Sequence, residues 1–234
     1  MKPLTTESRD NHSLAALGRA SVQIVHDLKN QLNGLKLYAT FLRKRMEKTE
    51  RPEDELDTIK KLIAGLDRTA EDLSMISEYG QPLQLRTQPG IDLQAIIAGV
   101  ANDLNKRLSA TPKATGALAG PIIVAAPSQP LTGEFDHTVL ADALKSISSG
   151  ALRMMNHKAR DGALKIGLTG DSSAEGRSGL IEWQIGDPPP TDIFHSFAGT
   201  DAIRMSLAAR IIEAHGGSAE CDGATLRVRL PLAK

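Results

Sequence analysis

The sequence has a single cysteine, Cys221, in 234 residues. One thiol excludes an internal disulfide and any metal site built from several thiolates, so a reducing cytoplasm is the expected location. Only 3% of the residues are aromatic, and aliphatic side chains must therefore fill the core. The 28 Lys and Arg residues balance the 28 Asp and Glu residues, which excludes a long-range electrostatic attraction to nucleic acid or to an anionic membrane.

Long hydrophobic runs are absent as well. The most apolar stretch, 116–127, is shorter than the roughly 20 residues that span a bilayer, and Pro121 interrupts it. Residues 1–11 are polar and lack the charged-then-apolar pattern of a signal peptide, so we expect the chain to stay where it is made. The sequence also lacks a Walker loop, a dinucleotide fingerprint, a nucleophile elbow and any zinc-ligand spacing, and we expect no metal site.

Two amphipathic helices are predicted in residues 1–80. From Leu14 onward, apolar residues recur at steps of three and four, and Pro52 permits a second helix with the same spacing. Further apolar positions flank the seam, the line along which the two helices pack, on both sides. One hairpin therefore leaves apolar surface uncovered. We predict a homodimer whose two hairpins form a four-helix bundle; packing of the hairpin on its own C-terminal domain is the alternative. The first stripe consists of Leu14, Leu17, Ile24, Leu28, Leu35, Tyr38 and Leu42, flanked by Val25, Leu32, Ala39 and Met46.

A different pattern follows residue 80. Residues 81–90 contain two prolines without a helical period, which predicts a linker between the hairpin domain and a second domain at 91–234. Helical and strand-like segments then mix, which predicts an α/β layer fold. The predicted helices are 91–108, 138–155 and 202–214, the predicted strands are 122–125, 164–169, 180–185 and 225–230, and the connections are a polar turn at 170–179 and an irregular loop at 186–199.

His26 is the candidate nucleophile on the first helix. It falls at the heptad position farthest from the seam, so we expect it to face water. Lys29 and Asn30 share its face, and Asp27 is the adjacent carboxylate. An exposed imidazole is a usable nucleophile, and a neighbouring carboxylate can hold the tautomer that leaves the other ring nitrogen able to attack. From spacing alone, a solvated helix face with a chance histidine is the simpler interpretation.

The residues around His26 resemble the phosphoacceptor helix of two-component sensor histidine kinases. The motif is Leu17-Gly18-Arg19 followed by His26-Asp27-Leu28-Lys29-Asn30-Gln31-Leu32. Residues 72–77 and 83–93 resemble the end of the family's second helix and its connector, and 132–136, 215–217 and 230–232 resemble landmarks of its ATP-binding domain. The resemblance implies that His26 is phosphorylated, that Asp27 is its acid/base partner, and that Asn30 takes part in removing phosphate from a response regulator.

The resemblance also implies a magnesium-ATP site, from which this sequence departs. The family's two helix asparagines align with Ser146 and Gly150, and glycine has no side chain to hold Mg²⁺. In the adenine loop Asp187 is retained, but Pro189 replaces a glycine. Proline fixes φ and removes an amide donor, so this loop cannot take the family's shape.

The phosphate-cradling turn of the family is altered in the same way. Its glycines align with Ala202 and Arg204, whose side chains crowd the place where backbone amides would face phosphate. The lid before this helix is also short, at 197–201. We therefore expect no bound ATP; Arg204 as a replacement phosphate ligand is the alternative.

A retained phosphoacceptor beside a degenerate ATPase domain resembles the dimeric histidine phosphotransferases derived from kinases. The hypothesis is that His26 relays phosphoryl groups between the aspartates of receiver domains, with Mg²⁺ supplied by the receiver. Lys29 and Asn30 would flank the docking surface, with Val22 and Leu37 as apolar contacts. An ATP-dependent kinase with an atypical site and a non-catalytic receiver-binding scaffold are the alternatives.

Overall fold

The computed structural model describes residues 6–49, 51–110, 121–125, 127, 129–155, 163–173, 176–189, 192–197 and 199–233. The side chains of residues 6–22, 110, 172 and 173 lie outside the description, as do the predictions that rest on Leu14, Leu17 and Val22. The chain divides into two compact units, Met1–Pro82 and Leu83–Lys234. Among the described residues, no helix combines the length and the apolar character needed to cross a membrane.

The first unit is a helical hairpin, as the apolar spacing predicts. Helix α1 spans Thr6–Glu47 and helix α2 spans Glu53–Gly80. Pro52 precedes α2 with an extended backbone, and three acidic residues in the first turn complement the positive end of the helix dipole. An ion pair between Lys36 and Asp67 joins the two helices.

The two neighbouring apolar stripes of α1 have different surroundings. Ala39 is buried, and Val25, Leu32 and Met46 are half-buried on the same face as Lys36, which contacts α2. These flanking residues, rather than the first stripe, therefore pack towards α2. Sequence periodicity does not distinguish the two stripes because they lie side by side on the helix. The residues of the first stripe that the structure describes remain exposed: Ile24, Leu28, Leu35, Tyr38 and Leu42.

The second unit is an α/β sandwich, which confirms the predicted layer fold. A five-stranded sheet has the order β2-β4-β5-β7-β6, with β2 and β4 parallel and the other pairs antiparallel; β1 and β3 form a separate antiparallel pair. The elements are β1 Gln88–Asp92, α3 Leu93–Ala110, β2 Ile122–Val124, β3 Thr132–Phe135, α4 His137–Met154, β4 Leu164–Ser173, β5 Gly176–Gln184, α5 Thr200–Ala214, β6 Ser218–Asp222 and β7 Thr225–Pro231.

One face of the large sheet is buried. Along β5, Ile181 and Trp183 point into the core, while Glu182 between them is only half-buried. The indole Nε1 of Trp183 donates a hydrogen bond to Ser148 Oγ of α4 over 3.0 Å, and Ser148 donates to the carbonyl of Leu144 over 2.8 Å. The only tryptophan of the sequence thus joins the sheet to α4 with its polar atom satisfied.

Several predicted boundaries are wrong. The predicted turn at 170–179 is largely strand, because β4 and β5 pair from Ile166 with Trp183 as far as Ser173 with Gly176. The part of the β4–β5 pair within 170–179 is polar on both faces, so its sequence lacks the alternation of apolar and polar residues that predicts a strand. Residues 88–90 of the predicted linker and 91–92 of the predicted third helix form β1, which pairs with β3. Strands β1, β3 and β6 are absent from the predicted strands because their short sequences are largely polar and lack the apolar run that marks β2.

The outer edge of β2 is covered by one side chain. Ala125 donates its backbone N–H to Ile166 of β4, so the backbone of Ile122 faces the opposite side. There Asn105 of α3 accepts from the Ile122 N–H over 2.8 Å and donates to the Ile122 carbonyl over 3.1 Å. Asn105 thus occupies both hydrogen-bonding groups that Ile122 would offer to another strand.

Candidate functional site

His26 lies on the exposed side of α1, and its side chain is 62% accessible to solvent. Its ring nitrogen Nδ1 is 3.5 Å from Oδ1 of Asp27 and 3.3 Å from Nδ2 of Asn30. No residue in the described ranges forms a hydrogen bond with Nε2. The structure therefore brings three of the four predicted catalytic residues together at one ring nitrogen and leaves the other nitrogen open to a reaction partner.

The two neighbours of Nδ1 have opposite requirements. A carboxylate only accepts, so Asp27 interacts favourably with a protonated Nδ1, whereas the amide nitrogen of Asn30 only donates and requires an unprotonated Nδ1. Protonation at Nδ1 leaves the lone pair on Nε2, which is the form that can attack phosphorus. The chemistry available at His26 thus depends on which neighbour Nδ1 engages.

The other residues predicted near this site are also placed. Lys29 is half-buried and has no hydrogen bond to His26 in the described part of the chain. Leu37 is exposed and lies about three turns after His26 on the same helix face. The side chain of Val22, the other predicted docking residue, lies outside the described residues.

Helices α4 and α5 carry four of the residues that align with the nucleotide site. Gly150 of α4 is fully packed: a Cβ at this position would lie 2.6 Å from Sδ of Met205, which is buried in α5. The guanidinium Nε of Arg153 also pairs with Asp201 over 2.8 Å, which ties the end of α4 to the first turn of α5. Ser146, Ala202 and Arg204 are each half-buried on these helices.

The loop after β5 carries the remaining two aligned residues. Asp187 is exposed and Pro189 is half-buried. Pro189 lines a groove of about 450 Å³ that also contains His195 and Cys221. The hydrogen bond from His195 to Asp192, 2.8 Å long, lowers the pKa of Asp192. No group of three His, Cys, Asp or Glu side chains in the described ranges is arranged to hold a metal ion.

His215 lies at the end of α5 and forms a hydrogen-bond pairing that the sequence does not predict. It is 7% exposed, its Nδ1 lies 2.8 Å from the carbonyl of Ile211, and its Nε2 lies 3.1 Å from the backbone N of Asp136. A carbonyl only accepts and a backbone N–H only donates, so Nδ1 donates to Ile211 and Nε2 accepts from Asp136. No sequence signal marks this pairing, because its partners are 79 positions apart.

Asp136 connects the same region to the segment that follows α2. Its carboxylate caps α4 by accepting from the N–H of Val139, and it also accepts from the N–H of Arg86 over 2.8 Å. These backbone hydrogen bonds, led by that from Arg86, lower the pKa of Asp136. The side chain of Thr87 donates to Glu134 over 2.9 Å, so the segment immediately before β1 is held at two points.

A helical hairpin followed by this α/β sandwich is the fold of the sensor histidine kinases, as the resemblance implies. The structure of the Acinetobacter baumannii histidine kinase AdeS superposes with a TM-score of 0.52 and 16% sequence identity, over 89% of this chain and 98% of that one. The ATP-binding domain of PrrB from Mycobacterium tuberculosis gives a TM-score of 0.46 and 18% identity over 63% of this chain and 98% of that domain. No family model and no curated protein matches the sequence.

Proposed function

We propose that this chain is a dimeric histidine phosphotransferase that relays phosphoryl groups between receiver domains through His26. The fold supports a place in two-component signalling. The observation that carries the proposal is the exposed His26 imidazole, with Asp27 and Asn30 at Nδ1 and no protein partner at Nε2 within the described residues. This arrangement suits a nucleophile that must meet its substrate on the surface of another protein.

The transfer step follows from this geometry. Nε2 of His26 attacks the phosphorus of an aspartyl phosphate on a receiver; the N–P bond forms, the P–O bond to the aspartate breaks, and the aspartate leaves as a carboxylate. The imidazole keeps its proton on Nδ1 and becomes positively charged, and the adjacent Asp27 offsets that charge. A second receiver aspartate takes the group in the reverse step. In this proposal the receiver supplies Mg²⁺. The metal ion would neutralise charge on the phosphoryl group, which together with positioning dominates the catalysis of phosphoryl transfer.

The packing of α4 against α5 supports the loss of ATP binding. Met205 fills the space beside Gly150, at the position where the resemblance implies an asparagine that holds Mg²⁺. The Arg153–Asp201 ion pair joins the end of α4 to the first turn of α5. A triphosphate at this place would have to displace a buried methionine.

The exposed stripe of α1 supports the homodimer. Ile24, Leu28 and Leu35 are large apolar side chains left in water by the single hairpin. A contiguous stripe of this kind marks an interface, and a second copy offers the same stripe by symmetry. The stripe lies opposite His26 on the helix, so a four-helix bundle leaves the imidazole accessible.

Receiver docking would use the opposite face of α1. Leu37 offers an exposed apolar contact, and Lys29 and Asn30 flank His26. Because Leu37 lies on the His26 face, it remains uncovered when the first stripe is buried. The proposed docking surface is thus defined by Lys29, Asn30 and Leu37.

One observation favours a second candidate, an ATP-dependent kinase with an atypical site. Asp187 is retained where the resemblance implies an adenine contact, and Arg204 lies on α5 near the implied phosphate position. Titration with Mg-ATP distinguishes the two candidates. Micromolar binding followed by label on His26 would establish the kinase and overturn the transferase.

The test of the proposed function follows labelled phosphate. The chain is mixed with a receiver phosphorylated on its aspartate, and acid-labile label is measured on the chain and on a second receiver. We expect rapid labelling of the parent protein and none of His26→Ala. His137→Ala is the matched control, because His137 is an exposed histidine of α4. If His26→Ala drains phosphate from the receiver as fast as the parent, transfer through His26 is wrong.

A further inference from the structure

Gln23 lies one helical turn before Asp27 on α1. Its amide Nε2 donates a hydrogen bond to Oδ1 of Asp27 over 3.1 Å. The same oxygen of Asp27 is the atom that faces Nδ1 of His26 at 3.5 Å. One carboxylate oxygen therefore lies between a side-chain amide and the imidazole.

This contact restricts a side chain that is otherwise mobile. Asp27 is 60% exposed, and an exposed carboxylate rotates between several staggered positions at little cost. A donor four residues earlier on the same helix face restricts that rotation, because residues at this spacing are neighbours. The hydrogen bond from Gln23 thus favours the rotamer that places Oδ1 next to His26.

The position of Asp27 has a chemical consequence because Asn30 competes for the same ring nitrogen. The amide nitrogen of Asn30 is 3.3 Å from Nδ1 and stabilises the tautomer with the proton on Nε2, which has no lone pair there for attack. Asp27 stabilises the other tautomer. Any group that holds Asp27 against Nδ1 raises the fraction of imidazole that can react.

We propose that Gln23 is a positioning residue that holds Asp27 beside Nδ1 of His26 and so maintains the reactive tautomer. This inference rests on the proposed function, in which Nε2 accepts the phosphoryl group. In the described part of the chain Gln23 forms no hydrogen bond with His26, and its proposed action passes through the carboxylate of Asp27.

The test compares two substitutions that preserve helix propensity. Gln23→Met removes the donor at similar length, and Gln23→Arg restores a donor that reaches Asp27. The ¹⁵N chemical shifts of the His26 ring, measured on the full chain, report the tautomer fractions directly. We expect Gln23→Met to shift the population towards the Nε2–H tautomer and Gln23→Arg to return it towards the parent value. Asn33→Met, which removes an exposed amide from the same face, is the control and should leave the tautomers unchanged.

The rate of phosphotransfer from a labelled receiver is the second readout. We expect a loss of about two- to fivefold for Gln23→Met, in keeping with the modest worth of an exposed hydrogen bond to a charged group, and recovery for Gln23→Arg. Unchanged tautomers in Gln23→Met would overturn the proposal, as would a tautomer shift without a change in rate or a loss that Gln23→Arg fails to rescue.

The two proposals fail in different ways. A parent protein that takes no phosphate from any receiver contradicts the proposed function, and the ring shifts of Gln23→Met still show whether Gln23 controls the tautomer. A parent protein that transfers phosphate normally, together with a Gln23→Met variant identical to it in shifts and rate, contradicts the role of Gln23 alone.

Discussion

The backbone N–H of Asp136 donates to Nε2 of His215 over 3.1 Å, and this bond joins the start of α4 to the end of α5. The other ring nitrogen of His215 donates to Ile211 within its own helix. The ring of Phe135 lies at 6.0 Å from the imidazole in a tilted arrangement. The side chain of His215 therefore links the two helices through hydrogen bonds.

Removal of His215 should destabilise the second unit. His215→Ala leaves the Asp136 N–H and the Ile211 carbonyl without their side-chain partner and opens a cavity beside Phe135. We expect a loss of about 2–4 kcal/mol in the free energy of unfolding, measured by urea denaturation. The exposed His137→Ala should change it by less than about 0.5 kcal/mol. Equal effects of the two variants would contradict the cross-link.

Asp136 should make stability depend on pH in the acid range. Its pKa is lowered in the folded state, so its contribution is present above the ordinary carboxyl value of 3.8 and is lost as pH falls through the folded value. We expect Asp136→Asn to lower the free energy of unfolding at pH 7 and to differ less from the parent below pH about 4. Urea titrations at several pH values measure the difference, and a gap that widens in acid would have the wrong sign.

Introduction of the asparagine that the resemblance implies at position 150 should be costly. A Cβ there would lie 2.6 Å from Sδ of Met205, a buried side chain that would have to shift. We expect Gly150→Asn to lower stability by about 1–3 kcal/mol, and the double variant with Met205→Ala to recover part of the loss. Thermal unfolding measures both. Full stability of Gly150→Asn, with gain of Mg-ATP binding, would show that the helices can separate.

Leu35 and Leu37 provide a matched pair for the two faces of α1. Each is 54% exposed, and they are about 200° apart around the helix. We expect Leu35→Glu to dissociate the proposed homodimer, measured by sedimentation, because it places a charge in the proposed four-helix bundle. Leu37→Glu should leave the dimer intact and reduce the rate of transfer from a receiver. If Leu37→Glu dissociates the dimer and Leu35→Glu slows the transfer, the proposed dimer face and docking face must be exchanged.

The helices could be predicted from the sequence because their apolar spacing persists over many turns. The predicted helix at 138–155 and the hairpin of α1 and α2 followed from local signals that the structure confirms. Strands β1 and β3 could not be predicted in this way. They are short and pair only with each other, so their stability depends on contacts that no local window contains.

The candidate site also contains features that the sequence predicts and features that it does not. The resemblance around His26 places the acceptor and its neighbours within five residues, where helical geometry alone brings them together. The packing of Met205 against Gly150 connects residues 55 positions apart and depends on how two helices cross. The choice between the two stripes of α1 was also beyond periodicity, because Val25 and Ile24 are equally apolar and only the position of α2 separates them.

At the β2 edge of the large sheet, the side-chain amide of Asn105 forms the two backbone hydrogen bonds that a neighbouring strand would form with Ile122. Extended peptides that add to sheets need consecutive backbone donors and acceptors, and Ile122 has already committed both of its own. Addition of a further strand at the β2 edge is therefore opposed by the side chain of a single residue, Asn105.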